Sequence, residues 1–261
     1  MRHPRHISLT DKGQELAIAV GRMLGDLRAK VGALQRGDEE AVLRISTTHS
    51  FAIKWLVPRM PGFTKLHPAF DLRVDANDAP VDLEDDGVDV AIRYGPVKDG
   101  DPALLFRERL VPVYSPALLA DGQDGLHLAD LARFPLLCEH SPASWLQLLS
   151  ENRALKGDYD FSRTDSHCGV LAQAAAAGQG IALVPYGIAF QDIQAGLLRT
   201  VACRSAPHAS GYRFLANPRK ETMPKLQHFR SWVTAEMAAM QRSLDAAAAG
   251  TSPSLQKVIF S

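Results

Sequence analysis

Two incompatible hydrophobic rhythms meet at Gly37-Asp38-Glu39-Glu40. Upstream, Leu16, Val20, Met23, Leu27, Val31 and Leu34 recur at steps of four, three, four, four and three, the seam of a two-stranded coiled coil. Thr10 suits the N-cap of this segment, and a helix from Thr10 to Gln35 would extend about 39 Å at 1.5 Å per residue. Downstream, Val42-Leu43-Arg44-Ile45-Ser46 reads as a buried strand. It ends in a hydroxyl-rich stretch, Thr47-Thr48-His49-Ser50, that leads onto a helix. The unpaired N–H groups and dipole at such a helix start favour a bound anion. The pattern is that of a dimerising stalk joined to a small-molecule site. The alternative for the stalk is an amphipathic helix packed on its own domain.

From Ala41 onward strands and helices alternate. A helix from about Ser50 to His67 is interrupted at Pro58, and Asp71–Ala76 is a second strand. Val81–Asp86 is a turn or short helix, and Val88–Tyr94 is a third strand stopped by Gly95-Pro96. This β–α–β–α–β order implies a parallel sheet with right-handed crossovers. Arg107–Ser115 leaves this lobe as a strand. A second alternating set follows: helices at Leu128–Arg133, Ser144–Asn152, Cys168–Ala177 and Tyr186–Ala195, and strands at Leu136–Cys138, near Asp160–Arg163, at Ile181–Val184 and near Leu197–Val201. Tyr212–Ala216 is a returning strand, and a final helix runs from about Pro224 to Met240. The Ala/Gly/Ser/Pro-rich residues Ala246–Ser254 read as disordered.

Composition excludes several classes. The 29 basic and 29 acidic residues cancel, so no overall charge draws the chain to nucleic acid or membrane. No apolar run approaches the roughly 20 residues that cross a bilayer, and no secretory signal opens the chain, so the cytoplasm is the expected compartment. Cys138, Cys168 and Cys203 form no C-x-x-C pair and read as reduced structural thiols. Gly178-Gln179-Gly180 is a helix stop and turn without the pattern of a dinucleotide loop, and no P-loop or metal-ligand spacing is present, so no cofactor or metal is expected.

A set of strings in fixed order then resembles the LysR-type transcriptional regulators, and within them the glycine-cleavage-activator branch. They are Leu9-Thr10-Asp11-Lys12-Gly13, then Trp55-Leu56-Val57-Pro58-Arg59, His67-Pro68 and Asp71-Leu72-Arg73. Asp86-Gly87-Val88-Asp89-Val90-Ala91-Ile92-Arg93-Tyr94-Gly95 is the most specific block. Ser115-Pro116-Ala117-Leu118-Leu119, Asp130-Leu131-Ala132-Arg133 and Ala177-Gly178-Gln179-Gly180-Ile181-Ala182-Leu183-Val184-Pro185 complete the series.

The resemblance spans Leu9 to Met240. It implies an α/β fold: a two-lobe, periplasmic-binding-protein-like (type 2) effector domain preceded by a long dimerisation helix. The corresponding division is a wing remnant at 1–9, a linker and dimerisation helix at 10–36, an effector-binding domain at 41–240 and a flexible tail at 241–261. Lobe I takes about 41–112 and 212–240, and lobe II about 113–211. On this reading the winged helix-turn-helix is truncated and the recognition helix has no counterpart. Arg2, Arg5 and His6 then touch DNA phosphate at most, which positions without specifying sequence. The implied partners are a small-molecule effector and a second copy, as a homodimer or tetramer, or an intact paralogue in a heterodimer. DNA is a partner only if the missing head is supplied, and a membrane is not.

In a two-lobe α/β protein the ligand lies beyond the carboxyl ends of the strands. That rule nominates Ser46, Thr47, Thr48, His49 and Ser50 from the first strand, and Arg93 and Tyr94 from the third. From the second lobe it nominates Glu139, His140, Asp165, Ser166, His167 and Pro185. The hydroxyls and N–H groups of Thr48 and Ser50 suit a carboxylate-bearing metabolite, and Asp165 suits a cationic or hydroxyl group opposite. Each has a plainer role open to it: Thr48 or Ser50 as a helix cap, Arg93 paired to Asp89 or Asp75, Asp165 capping the helix near Cys168, and the histidines as ordinary loop residues. An enzyme would recruit Cys138 with His140, or Ser166 with His167 and Asp165, but sequence neighbours rarely form a nucleophile–base–orienter line. Besides a regulator, the two-lobe pattern also suits a cytoplasmic solute-binding protein or a headless partner subunit.

Overall fold

A computed structural model of the 261-residue chain describes residues 10, 12–13, 20, 40–84, 87–154, 157–161, 163–165, 167–201, 203 and 207–248. Leu16, Met23, Leu27, Val31 and Leu34 of the expected seam lie outside these residues, as do Arg2, Arg5, His6 and Ser166. Val20 is helical and 43% exposed. Thr10 Oγ1 accepts the Gly13 N–H at 3.2 Å, as an N-cap does.

The remaining elements belong, apart from Val42, to the compact unit Leu43–Ser261. Strand β1 (Val42–Thr47) is buried along almost its whole length, as an inner strand covered on both faces must be. Beside it, β2 (Asp71–Ala76) alternates exposed and half-buried residues. Between them, α1 (His49–Phe51) passes into a π-turn at Ala52–Leu56 and a 3-10 turn at Val57–Arg59 before α2 (Met60–Leu66) restarts. The break falls at Pro58, which has no N–H to continue the ladder.

β3 (Val90–Pro96) pairs parallel with β1 in the register Ile45↔Val90 and Thr47↔Ile92. The crossing strands follow a different rule. β4 (Leu104–Tyr114) and β9 (Pro207–Ala216) are antiparallel to each other, and β9 is antiparallel to β3 from Val90↔Ala216 to Pro96↔Ser210. Past Arg109, β4 changes partner and pairs antiparallel with β7 (Ile181–Pro185), from Leu110↔Pro185 to Val113↔Ala182. The parallel pairing expected of the first βαβ run is present between β1 and β3, and the strands that leave and return across the lobes run in opposite senses. A β carbon on Gly211 would overlap the Phe106 carbonyl, so the β4–β9 crossing closes only around a glycine.

In the second lobe β5 (Leu136–Glu139) pairs parallel with β7 and with β6 (Arg163–Asp165), while β8 (Arg199–Thr200) pairs with β4. The strand order is β2-β1-β3-β9-β4-β7-β5-β6. Helices α3 (Ala143–Glu151), α4 (Cys168–Ala176) and α5 (Tyr186–Gln194) cover this lobe, and α6 (Pro224–Ala248) covers the first. Leu128–Arg133 is a 3-10 turn, not an α-helix, and 81–84 form no helix. α6 continues through 241–248, which the composition assigns to a flexible tail, because Leu244, 6% exposed, still packs into the core.

One core surrounds Phe51, Trp55, Phe63, Phe229 and Trp232 and extends to Leu171, Ala172 and Ile188 of α4 and α5. A second surrounds Tyr114, Leu131, Trp145 and Leu149. Trp145 anchors that core, its indole N–H donating to the Leu137 carbonyl at 2.9 Å. Asp89 is wholly buried at the start of β3. It accepts from Lys220 Nζ and Lys225 Nζ at 2.9 Å each and from the Arg44 N–H at 2.9 Å.

Candidate functional site

The ends of β1, β3, β5 and β7 converge on a cavity of about 370 Å³ between the lobes. Lobe I contributes Thr48, Ser50, Asp78 and Tyr94; lobe II contributes Glu139, Ser144, His167, Cys168 and Pro185. Leu110, His208 and Tyr212 come from the two crossing strands. Six of the residues nominated from the sequence are thereby brought together: Thr48, Ser50, Tyr94, Glu139, His167 and Pro185.

The others fall elsewhere. Ser46 and Thr47 are buried in the sheet, where Ser46 Oγ accepts from Arg93 Nη2 at 2.7 Å and Thr47 Oγ1 donates to the Ile92 carbonyl at 3.0 Å. Arg93 pairs with neither Asp89 nor Asp75; its guanidinium also donates to the Ala79 carbonyl at 3.3 Å and so holds the 77–80 loop. His140 takes a left-handed backbone (φ 59°) outside the cavity lining, and Asp165 is likewise not in the lining; its Oδ2 has no hydrogen-bond partner. His49 lines an adjoining groove of about 530 Å³ that shares Ser50, Asp78 and His167 with the cavity and also contains Ile53, Lys54 and Val170.

Asp78, absent from the residues nominated by the strand-end rule, organises the mouth of the cavity. Its Oδ1 accepts the His49 N–H at 3.1 Å, and its Oδ2 lies 3.0 Å from His49 Nδ1 and 3.6 Å from His167 Nε2. Thr48 makes no side-chain cap bond. The first N–H of this helix, that of His49, is therefore taken by the protein's own Asp78 carboxylate, beside the Thr48 and Ser50 hydroxyls. Burial pushes the Asp78 carboxyl up, but bonds from His49 and the charge of His167 outweigh it and hold it below its ordinary value. Asp78 follows β2 closely, so the same rule, applied to that strand, points to it; Ser144, His208 and Tyr212 lie off strand ends and escape the rule.

Contacts between lobes run beside the cavity, along the adjoining groove. The Gly169 N–H donates to Ser50 Oγ at 3.3 Å, and Lys54 Nζ bonds Asp192 Oδ2 at 2.9 Å and Gln173 Oε1 at 3.1 Å. Behind the cavity the wholly buried Glu108 accepts from the Gly187 N–H at 3.1 Å and the Arg109 N–H at 3.2 Å. Burial raises its carboxyl to about 8 despite these bonds.

Of the two enzyme arrangements expected, the one built on Ser166 lies outside the described residues, and the one built on Cys138 lacks an activated thiol. Cys138 is buried with its Sγ on the Leu136 carbonyl, and burial pushes the Cys168 thiol up to about 11, so neither is an activated thiolate. Among the described residues no group of His, Cys, Asp or Glu is placed to hold a metal ion, and no helix is long and apolar enough to cross a membrane.

The LysR substrate binding domain family matches residues 36–238. The glycine cleavage system transcriptional activator of Escherichia coli K12 is 31% identical over 244 residues, covering 92% of this chain and 79% of that protein. The HTH-type transcriptional activator AmpR of Providencia stuartii is 29% identical over 244 residues, covering 91% and 80%. In fold, the effector domain of AmpR from Pseudomonas aeruginosa superposes with a TM-score of 0.59 at 23% identity, covering 78% of this chain and 98% of that one. These relatives are regulators rather than enzymes. The chain therefore belongs to the LysR family of transcriptional regulators, in the branch similar to the glycine cleavage activators, and its two lobes are the family's effector-binding domain.

Proposed function

We propose that a small polar metabolite enters the cavity between the lobes, shifts their relative orientation and thereby sets the regulatory state of an oligomer on DNA. The observation that carries this reading is the composition of the cavity wall. Thr48 and Tyr94 come from one lobe, Glu139, Ser144 and His167 from the other, and Tyr212 from a crossing strand. A ligand touching both lobes binds their closed and open arrangements unequally, and such differential affinity moves a two-state equilibrium. The seam from Leu16 to Leu34 is the segment proposed to pair two copies, on the strength of its four-and-three spacing of apolar residues.

Thr48 and Ser50 are the residues proposed to meet the polar end of the effector. Metabolites that stabilise the purified chain in a thermal-shift screen are expected to bind the Thr48→Ala, Ser50→Ala double variant about tenfold more weakly in calorimetry, the loss of one to two hydrogen bonds. Unchanged affinity would place the effector elsewhere.

A further inference from the structure

The polar wall of the cavity has an asymmetry of charge. Two carboxylates, Asp78 and Glu139, line it, and no lysine or arginine does. The cations nearby lie outside the lining: Arg93 donates to Ser46 Oγ and the Ala79 carbonyl and faces the charge of Asp78, and Lys54 bonds Asp192 and Gln173. The helix start that would hold an anion is filled by Asp78, and the rings of His49 and His167 also lie against that carboxylate. The Glu139 carboxylate is left at the exposed end of β5 with no hydrogen-bond or ion-pair partner among the described residues.

Aromatic faces complete the wall. Tyr94 and Tyr212 lie with ring centroids 5.2 Å apart, tilted by 52°, and Tyr94 Oη is 3.2 Å from His208 Nδ1. Tyr212 is 3% exposed, and its hydroxyl has no hydrogen-bond partner among the described residues although the side chain lines the cavity. The side chain is held in place by its surroundings while its hydroxyl stays open to the cavity, so it is free to bond a ligand. Tyrosine faces attract cations through the ring quadrupole, and a nearby carboxylate adds a charge-assisted bond. An anion here would instead meet two carboxylates at reduced dielectric.

We propose that the effector carries an ammonium group, seated among the Glu139 carboxylate, the exposed Tyr94 ring and the hydroxyl of Tyr212, whose own ring is packed against Phe51 at 4.5 Å. The inference rests on the reading of this cavity as the effector site and names the chemical class that the site selects. Leu110 and Pro185 supply apolar wall for a short hydrocarbon skeleton, and about 370 Å³ accommodates a ligand of metabolite size.

The test is calorimetry and thermal shift on the full chain with a matched panel: small organic amines, their N-acetyl derivatives, and carboxylic acids on the same skeletons. Amines are expected to bind, N-acetyl partners to fail, and Glu139→Gln to weaken the amines about tenfold or more while leaving the unfolding midpoint unchanged. Tyr212→Phe, which keeps the ring and removes the hydroxyl, is expected to weaken the same amines by a smaller factor. If the acids bind, lose affinity in the Thr48→Ala, Ser50→Ala variant, and the amines do not bind, the cavity remains the effector site and the ammonium proposal is overturned. If no member of any class binds in a manner sensitive to these variants, both readings fall.

Discussion

The Asp78 carboxylate reaches across 29 residues to accept the His49 N–H at 3.1 Å and to lie 3.0 Å from the same residue's ring. The loop after β2 thus fastens the first turn of the helix after β1, and it does so at the lip of the inter-lobe cavity. Removing this side chain leaves the His49 N–H without its carboxylate partner. Asp78→Ala is expected to lower stability by about 1 kcal/mol in urea unfolding, the usual value of a helix-cap bond. The folded carboxyl lies below its ordinary value, so its contribution is present above about pH 4 and is lost as pH falls through the folded value. The variant should therefore lose less stability on acidification than the wild type. An identical acid profile would show that the bond contributes nothing.

Glu108 gives a pH dependence of the opposite sign. Its carboxyl rises from 4.5 to about 8 on burial, so the folded state holds a proton that the unfolded chain releases. That stability is complete below pH 4.5 and declines as pH rises through about 8. Glu108→Gln keeps one acceptor oxygen and does not titrate, so whatever its absolute stability its unfolding midpoint is expected to fall less than that of wild type between about pH 6 and about 9. Parallel midpoint curves for the two proteins would contradict the assignment.

Asp89 holds two buried lysines at once. Asp89→Ala removes the carboxylate that the Lys220 and Lys225 ammonium groups share, and breaking a buried pair from one side typically costs about 3–5 kcal/mol. Guanidinium unfolding of the variant should show that loss, with a substantial part restored when both lysines are also replaced by methionine. A loss below about 1 kcal/mol would mean that the cluster is not a stabilising lock.

The alternation of strand and helix from Val42 to Ala76 is readable in the residues because inner strands are continuously apolar and because Pro58 leaves an unmistakable break. The crossing is harder. β9 begins at Pro207, five residues before Tyr212, and its first stretch, His208-Ala209-Ser210-Gly211, carries no apolar alternation. Its strand state comes from pairing on both edges, with β3 and β4, which no local pattern encodes. The cavity is legible to the same extent. Residues at parallel strand ends follow from topology, whereas His208 and Tyr212 come from that antiparallel strand. Asp78 is not legible at the helix start for a different reason: a helix start attracts negative charge whatever its source, and here the chain itself supplies a carboxylate. The Ala-rich stretch after Met240 looks disordered by composition, but alanine also favours helix, and packing of Leu244 decides the outcome.

Leu110, His208 and Tyr212 sit on the very strands that carry the chain from one lobe to the other. A molecule pressing on them acts at the fulcrum rather than at the rims. Displacements of a fraction of an ångström there are magnified with distance along each lobe, so a compact ligand has leverage on surfaces it never touches.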